Sequence, residues 1–500
     1  MTPQLAYQFA ALKKFFSHLS WLMALNLLIK PAYLLVIDAK IQDALGPEVW
    51  GQFFPLLSLS VLLNILLDAG LANHMTRVVA ADSATLHQEH RQGWRTRLLL
   101  VPVYLAVLMG VGWVLGYRNI ALLWLFWIGG NQALLSAVLY VRAGLQGGGA
   151  HEADAWVSVA DRALLLVAMG ALLWQSDTFA IEWLLTGTTA ALSVALGWGW
   201  WKLEKLKSGI PKPSTSHLPS AVFTHLKESW PYALLFLLMM TYHRVDAIML
   251  ERLAPGGAVQ AGWYAMGYRL FEAANMLGFL FATLLLPYFT RMLQSNEDVR
   301  PLASAISQVL WVGGFSVAWV AFVFPRDFLD WFYADHLDAA SPILPWLMLS
   351  FAIFAQGYVF STLLTARGDL KLLNLLAAIG AVLNIGLNGW WISSSNGLDA
   401  AWGCAVISAG TQFLVVGLQT GFAIAAHPGK IWRQILRTAA LHSFAAGAIC
   451  AAFWRWADGS MEAVAACLLL CIAVGALPGI TNYQTARELL TDKMNTFADS

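Results

Sequence analysis

The chain has 500 residues, 59% hydrophobic and only 12% charged, with Lys plus Arg at 30 and Asp plus Glu at 29 for a net charge of +1. Ordinary globular chains carry roughly 25% charged residues, and the mean hydropathy here is +0.62. A soluble enzyme, a nucleic-acid binder and a disulfide scaffold are therefore excluded, and the composition is that of a polytopic integral membrane protein.

A membrane-spanning helix uses about 20 apolar residues. On that scale the sequence predicts an all-α protein of about 14 transmembrane helices, near 19–39, 51–76, 97–117, 119–141, 155–175, 180–201, 229–250, 260–289, 302–324, 341–365, 370–393, 399–425, 435–454 and 461–483. Before the first span, residues 4–17 place Leu5, Phe9, Leu12 and Phe16 on one stripe, the pattern of an interfacial helix. Lys13 and Lys14 precede a full-length span with no small-residue cleavage site after it, so a cleavable signal peptide is not expected. The longest polar connection, 202–228, holds five lysines and Pro211–Ser216, and reads as a cytoplasmic linker between two halves.

With an even number of spans both tails share a side. Twenty-one of the 30 bases then fall on the side of the tails and five on the other. Short cytoplasmic loops carry the excess of Lys and Arg, so both termini are expected in the cytoplasm. The opposite 325–340 loop, with Asp327, Asp330, Asp335 and Asp338, agrees.

The halves resemble each other. Residues 46–53 (GPEVWGQF) and 257–264 (GAVQAGWY) share Gly-x4-Gly-x-aromatic, and at the same offset Asn64 falls on Asn275. Ser136-x5-Arg142 matches Ser361-x5-Arg367 at the inner end of each half's fourth span. The expected organisation is an N-terminal lobe over 1–201, the linker over 202–228, a second lobe over 229–428, and spans 13 and 14 with a cytoplasmic tail over 429–500. Two such six-helix lobes in the same orientation predict a central cavity, where transporters commonly place a substrate path.

Leu45–Phe53 leading to Asp68-Ala-Gly-Leu71, with Trp230-Pro231, Arg244-Val-Asp246, Gly262-Trp-Tyr264 and Arg269-Leu-Phe-Glu272 in the second half, resembles the polysaccharide-export (Wzx-like) flippases of the multidrug/oligosaccharidyl-lipid/polysaccharide (MOP) superfamily. The resemblance implies fourteen helices in two lobes and movement of a lipid-linked sugar from the inner to the outer leaflet. It also implies a bacterial plasma (inner) membrane location, an undecaprenyl-pyrophosphate-type carrier, membrane lipids as surroundings, and a polysaccharide polymerase or other export proteins as partners.

Ionisable groups within spans carry the sharpest information, because each costs about 2.5–3.5 kcal/mol at a helix centre on insertion scales. Lys30 and Asp38 flank Pro31; Asn64 and Asp68 share a face; Asp161 adjoins Arg162; Tyr242, His243, Arg244 and Asp246 cluster; Arg269, Glu272 and Asn275 recur every three residues. Internal pairing of Arg269 with Glu272, and of Arg244 with Asp246 or Asp38, is one account of them. A pyrophosphate-linked sugar is the other: it brings two negative charges, which suit the planar fork of Arg, and hydroxyls, which suit Asn and Gln. The candidate substrate residues are Lys30, Arg244, Arg269, Asn64, Asn275 and Gln356. The candidate coupling or charge-pairing residues are Asp38, Asp68, Asp161, Asp246 and Glu272, with H+ or Na+ as the coupling ion. Asn131, Gln132, Asn384, Asn388 and Gln412 also lie in apolar spans, where helix–helix hydrogen bonding is their default role.

Four bases within spans, Lys30, Arg162, Arg244 and Arg269, favour an anionic substrate over the cationic drugs of a cation-coupled multidrug exporter. A peptidoglycan-precursor flippase has a chemically similar substrate and is not separated by residue types. A membrane polysaccharide polymerase would need a large outward loop, and 325–340 is short and acidic. There is no Gly-x4-Gly-Lys-Ser/Thr phosphate loop; Gly147–Gly149 reads as a turn. His87-x2-His90 and His151-Glu152 lack a zinc pattern, and Cys467 and Cys471, four apart on one face, read as small packing residues rather than a redox or metal pair. No catalytic residue, cofactor or metal is expected.

Overall fold

The computed structural model describes residues 26–68, 70–175, 178–210, 221–394, 399–429, 432–456, 460–477 and 480, the side chains of 221–232 excepted. The interfacial helix expected at 4–17, the start of the first span, Pro211–Ser216 and the Trp230-Pro231 side chains lie outside this description. The described residues are almost wholly helical and include no strand. Eleven of their helices are long and apolar enough to cross a membrane. Large apolar side chains stand outward on them, Trp174 at 92% and Phe444 at 80% exposure, a surface suited to lipid rather than water. The chain packs into two units, Met1–Ile248 and Met249–Ser500.

The first unit opens with a helical run, Asn26–Asp68. Pro31 takes one N–H out of its ladder, and two residues later the helix widens into a π-helical stretch, Tyr33–Asp38. α1 (Ala39–Leu62) follows and turns sharply at Gly46, whose φ of 73° and ψ of 165° belong to a region open essentially to glycine alone. Pro47 comes next, so the Gly-Pro of the repeated motif makes the corner between the first two predicted spans.

The single span expected at 51–76 is instead broken. α1 ends at Leu62, a turn at Leu63 and Asn64 leads to α2 (Ile65–Asp68), and Gly70, at φ 88°, starts α3 (Leu71–Ala81). Hydropathy saw continuous apolarity there, whereas the backbone breaks where Asn64 and Gly70 interrupt it. Conversely, most of the polar stretch 77–96 is helical: α4 starts at Leu86 and runs to Val114. α5 (Ile120–Gly147), α6 (His151–Gln175), α7 (Ile181–Ser208) and α8 (Ala221–Leu253) follow. α7 and α8 thus extend into the 202–228 stretch from both sides, and the boundary between the two units falls inside α8. The centre of the first unit is α5, which packs on α1, α3, α4, α6 and α7.

The second unit contains α9 (Gly257–Gln294), α10 (Arg300–Val323), the short α11 (Pro325–Asp330) and α12 (Leu337–Ala340), then α13 (Leu344–Arg367), α14 (Leu370–Ser394), α15 (Ala400–Ala426), α16 (Trp432–Trp456) and α17 (Met461–Gly475). Its centre is α13, packed on α9, α10, α14 and α15, while α16 and α17 pack on each other and on α10. α5 and α13 hold the fourth-span position in their halves, and each is the hub of its unit. Both use a central amide to grip a neighbour. Asn131 accepts from Thr189 Oγ1 at 2.7 Å and donates to the Leu185 carbonyl at 3.2 Å; Gln356 accepts from Ser307 Oγ at 2.6 Å and donates to its carbonyl at 3.2 Å.

Candidate functional site

The first unit gathers charge where the start of the Asn26–Asp68 run, the end of α5 and the first half of α6 meet. Asn26 Nδ2 donates to Ser158 Oγ at 2.9 Å, which ties the run to α6. One turn further, the Arg162 guanidinium lies over the Tyr33 ring, 5.1 Å from its centroid, while its Nε stands 3.4 Å from Asp161. At the α5–α6 corner, Arg142 Nε donates to Asp154 Oδ1 at 2.7 Å, and Gln146 donates to the other carboxylate oxygen at 2.7 Å. Asp154 is almost completely buried, its side chain 2% exposed. Lys30 faces this assembly and lies in the field of Arg142, Asp161, Arg162 and Asp154.

Three cations against two carboxylates leave one positive charge. Among the described residues Lys30 makes no hydrogen bond or ion pair, whereas Arg142 and Arg162 each have a carboxylate partner. A half-buried ammonium beside an otherwise satisfied network can accept an added anion without breaking an existing bond. The site contains three of the residues singled out from sequence, Lys30, Asp161 and Arg162. Arg142 and Asp154 were not singled out, Arg142 having been counted among the bases of the inner face. They stand six residues either side of Gly148, a symmetry about the turn that would have marked them as a pair across a helical hairpin.

The other sequence candidates sit elsewhere. Asp68 pairs with Arg97 at 2.7 Å and also receives the Ala72 N–H that begins α3. Arg97, the first residue of the predicted span 97–117, is 3% exposed, donates to Ser136 Oγ, and lies over the Tyr140 ring. Its inward direction follows from the buried face of α4, where His90, Gly93, Arg97, Tyr104 and Leu108 recur at helical spacing. Asn64 sits at the break after α1, and its Oδ1 is buried with no hydrogen-bond partner among the described residues. Asp38 closes the π-helical stretch and is buried, as are His243 and Asp246 on α8, beside Arg244.

In the second unit Arg269 Nη1 donates to Glu272 at 2.6 Å, the internal pairing expected from their spacing. One turn on, Tyr358 Oη donates to Asn275 Oδ1 at 3.1 Å. Tyr268 extends this stripe with aromatic contacts to Tyr264 and Phe271. Gln356 spends both its hydrogen bonds on Ser307, so it joins α13 to α10. Asn384 does the same for α14 and α15, donating to Ser408 Oγ at 3.0 Å.

Residues 17–293 match the family model described as polysaccharide biosynthesis protein. Among solved structures, the chain is similar to an inward-facing multidrug resistance MATE family transporter of the MOP superfamily, with 15% identity over 79% of this chain and 95% of that one and a TM-score of 0.57. It is also similar to the lipid II flippase MurJ in an inward closed conformation, at 14% identity over 97% and 99% of the two chains and a TM-score of 0.54. A MOP superfamily transporter from Pyrococcus furiosus Vc1, with a binding pocket of reverse polarity, matches at 15% identity over 85% and 99%, with a TM-score of 0.53. No curated protein matches the chain. The fold is that of the MOP superfamily of membrane transporters and flippases, in agreement with the resemblance carried by the sequence motifs. Within that class, the chain belongs to the polysaccharide biosynthesis protein family.

Proposed function

We propose that the protein is a flippase that moves a polyprenyl-pyrophosphate-linked oligosaccharide from the cytoplasmic to the outer leaflet of a bacterial plasma membrane by alternating access. The observation that carries this reading is the net positive cluster around Lys30, set among apolar helices of a chain from a polysaccharide biosynthesis family. Lys30 attracts the pyrophosphate, with Arg142 and Arg162 close enough to share its charge. Arg244 and Arg269 add attraction elsewhere on the route, and Asn64 and Asn275 serve sugar hydroxyls, while the lipid tail stays in the bilayer. Gln356, on α13 of the second unit, is a further candidate for sugar hydroxyls. Release needs an opposing term, and the Asp161 carboxylate, within the field of Lys30, supplies it by repelling the bound anion. Asp38, Asp246 and Glu272 are candidates for coupling to H+ or Na+, and Asp68 for setting Arg97. The excess of bases on one side supports cytoplasmic termini.

The test is export of surface polysaccharide from cells whose only copy of the protein is Lys30→Ala, Arg244→Ala or Arg269→Ala, at matched membrane levels. Lys30→Ala is expected to lower export at least about tenfold, the effect of removing one charge-assisted phosphate contact of roughly 1.5–3 kcal/mol. Lys30→Arg should retain most of it. Normal export in all three alanine variants would overturn the reading. Accumulation of lipid II, with surface polysaccharide unchanged, would instead assign the same chemistry to a peptidoglycan precursor.

A further inference from the structure

Cys467 and Cys471 do not stand alone. Cys450 on α16 projects between them, with its Sγ 3.6 Å from that of Cys467 and 3.8 Å from that of Cys471, and all three are completely buried. The three sulfurs lie within 4.8 Å of one another, and among the described residues no His, Asp or Glu joins the group. Three sulfurs held around one ion at the usual metal–thiolate distance of about 2.3 Å stand about 4.0 Å apart in a trigonal plane. The thiols are therefore already at ligand spacing.

The backbone is held in that register independently of the thiols. His442 Nε2, two turns before Cys450 on α16, lies 3.1 Å from the Cys471 carbonyl and 3.2 Å from Ser316 Oγ of α10. The buried face of α17 is Val464, Cys467, Cys471 and Gly475, and that of α16 includes Ala446 and Cys450. Small side chains bring the two helices close and place the three sulfurs between them.

We propose that Cys450, Cys467 and Cys471 form a trigonal binding site for a soft monovalent metal ion, Cu(I). Soft thiolate donors suit Cu(I), Zn(II) and iron–sulfur clusters, and structural Zn(II) sites and iron–sulfur clusters take four protein ligands, one more than this group offers. Charge agrees. When one S–H bond breaks, its proton leaves to solvent and an S–Cu bond forms, so the product is one thiolate, two thiols and Cu(I), with no net charge to bury. No electron is transferred. The bound ion cross-links α16 to α17, the pair that lies outside the repeat.

The full-length protein in detergent, reduced and anaerobic, is titrated with Cu(I) presented by a colorimetric Cu(I) chelator. About one Cu(I) per chain is expected to leave the chelator, with X-ray absorption reporting three sulfur neighbours. Loss of an outer-shell partner alone costs 10–100-fold in metal affinity, so Cys450→Ala, which loses a ligand, should weaken binding at least about tenfold. Cys404→Ala, on α15, should leave it unchanged. Unaltered affinity in Cys450→Ala, nitrogen or oxygen neighbours, fewer than three sulfurs, or preference for Zn(II) over Cu(I) would each overturn the site. If Cys450→Ala does not fold, the ligand count in the wild-type spectrum decides. None of these readings depends on polysaccharide export.

Discussion

Arg97 and Asp68 show how a charge within a membrane helix becomes tolerable. Arg97 is buried by α4 and α5, yet its guanidinium has a carboxylate, a hydroxyl and an aromatic face to interact with. Removing one member of a buried pair leaves the other uncompensated and costs about 3–5 kcal/mol. Asp68 is one-third exposed, so Asp68→Asn should fall at the lower end, about 3 kcal/mol, in denaturant unfolding of the purified protein. A cost near zero would mean that Ser136 and Tyr140 alone satisfy Arg97. His427, just beyond α15, is a pH-sensitive counterpart outside the spans. Burial, then the Arg367 charge, hold its pKa below the ordinary 6.5, with Asp298 opposing. The folded state thus favours the neutral ring, and the unfolded chain takes up the proton more readily. The contribution is present above pH 6.5 and is lost as pH falls below it. Melting temperature recorded from pH 7 to pH 5 should therefore decline less steeply in His427→Gln than in the wild type.

Among the elements, the corner at Gly46 is where local backbone chemistry decides most. An added Cβ would meet nothing within 4 Å, so Gly46→Ala isolates the backbone effect. Its φ of 73° with ψ of 165° is strained for any L side chain, and the expected loss is about 1–3 kcal/mol. A melting temperature equal to wild type would mean that the corner relaxes into another conformation. The motif around this glycine was visible in the sequence as half of a repeat, but its role as a corner was not. In the second half the aligned position, Gly257, starts α9, and the left-handed residue is Gly256. The second predicted span was similarly deceptive. Apolar composition runs through 51–76, and only backbone geometry at Leu63–Asn64 and Gly70 breaks it. α9 carries Asn275 within an unbroken helix of 38 residues, so the aligned pair Asn64 and Asn275 occupy different local structures.

Across the whole molecule, α5 and α13, the helices at the fourth-span position of each predicted half, each bind a neighbour through a central amide. The sidedness inferred from basic residues has a direct check. A cysteine replacing Ser208, at the end of α7, should react with a membrane-impermeant thiol reagent only in inside-out vesicles. One replacing Asp335, between α11 and α12, should react in intact spheroplasts. Labelling of both from the same side would refute the orientation and the direction of transport built on it.

By itself, the sequence determined that the protein crosses the membrane many times, that its bases are unevenly divided among its loops, and which family it belongs to. These follow from sums over many residues, in which an error at one position is diluted. The partners of individual charges were decided only by the tertiary structure. Arg97 and Arg142 look alike in the chain, both basic residues near helix ends. One turns inward onto Asp68 and the other across a hairpin onto Asp154. Lys30, a few residues along its own helix, meets charge from two others, α5 and α6, and has no direct partner among the described residues. Cys450 lies 17 residues from Cys467, too far for any helical periodicity to join them, and meets it only because α16 and α17 pack through small side chains. Pairing depends on the direction of a side chain and on which helix packs beside it, and neither is a property of composition or spacing.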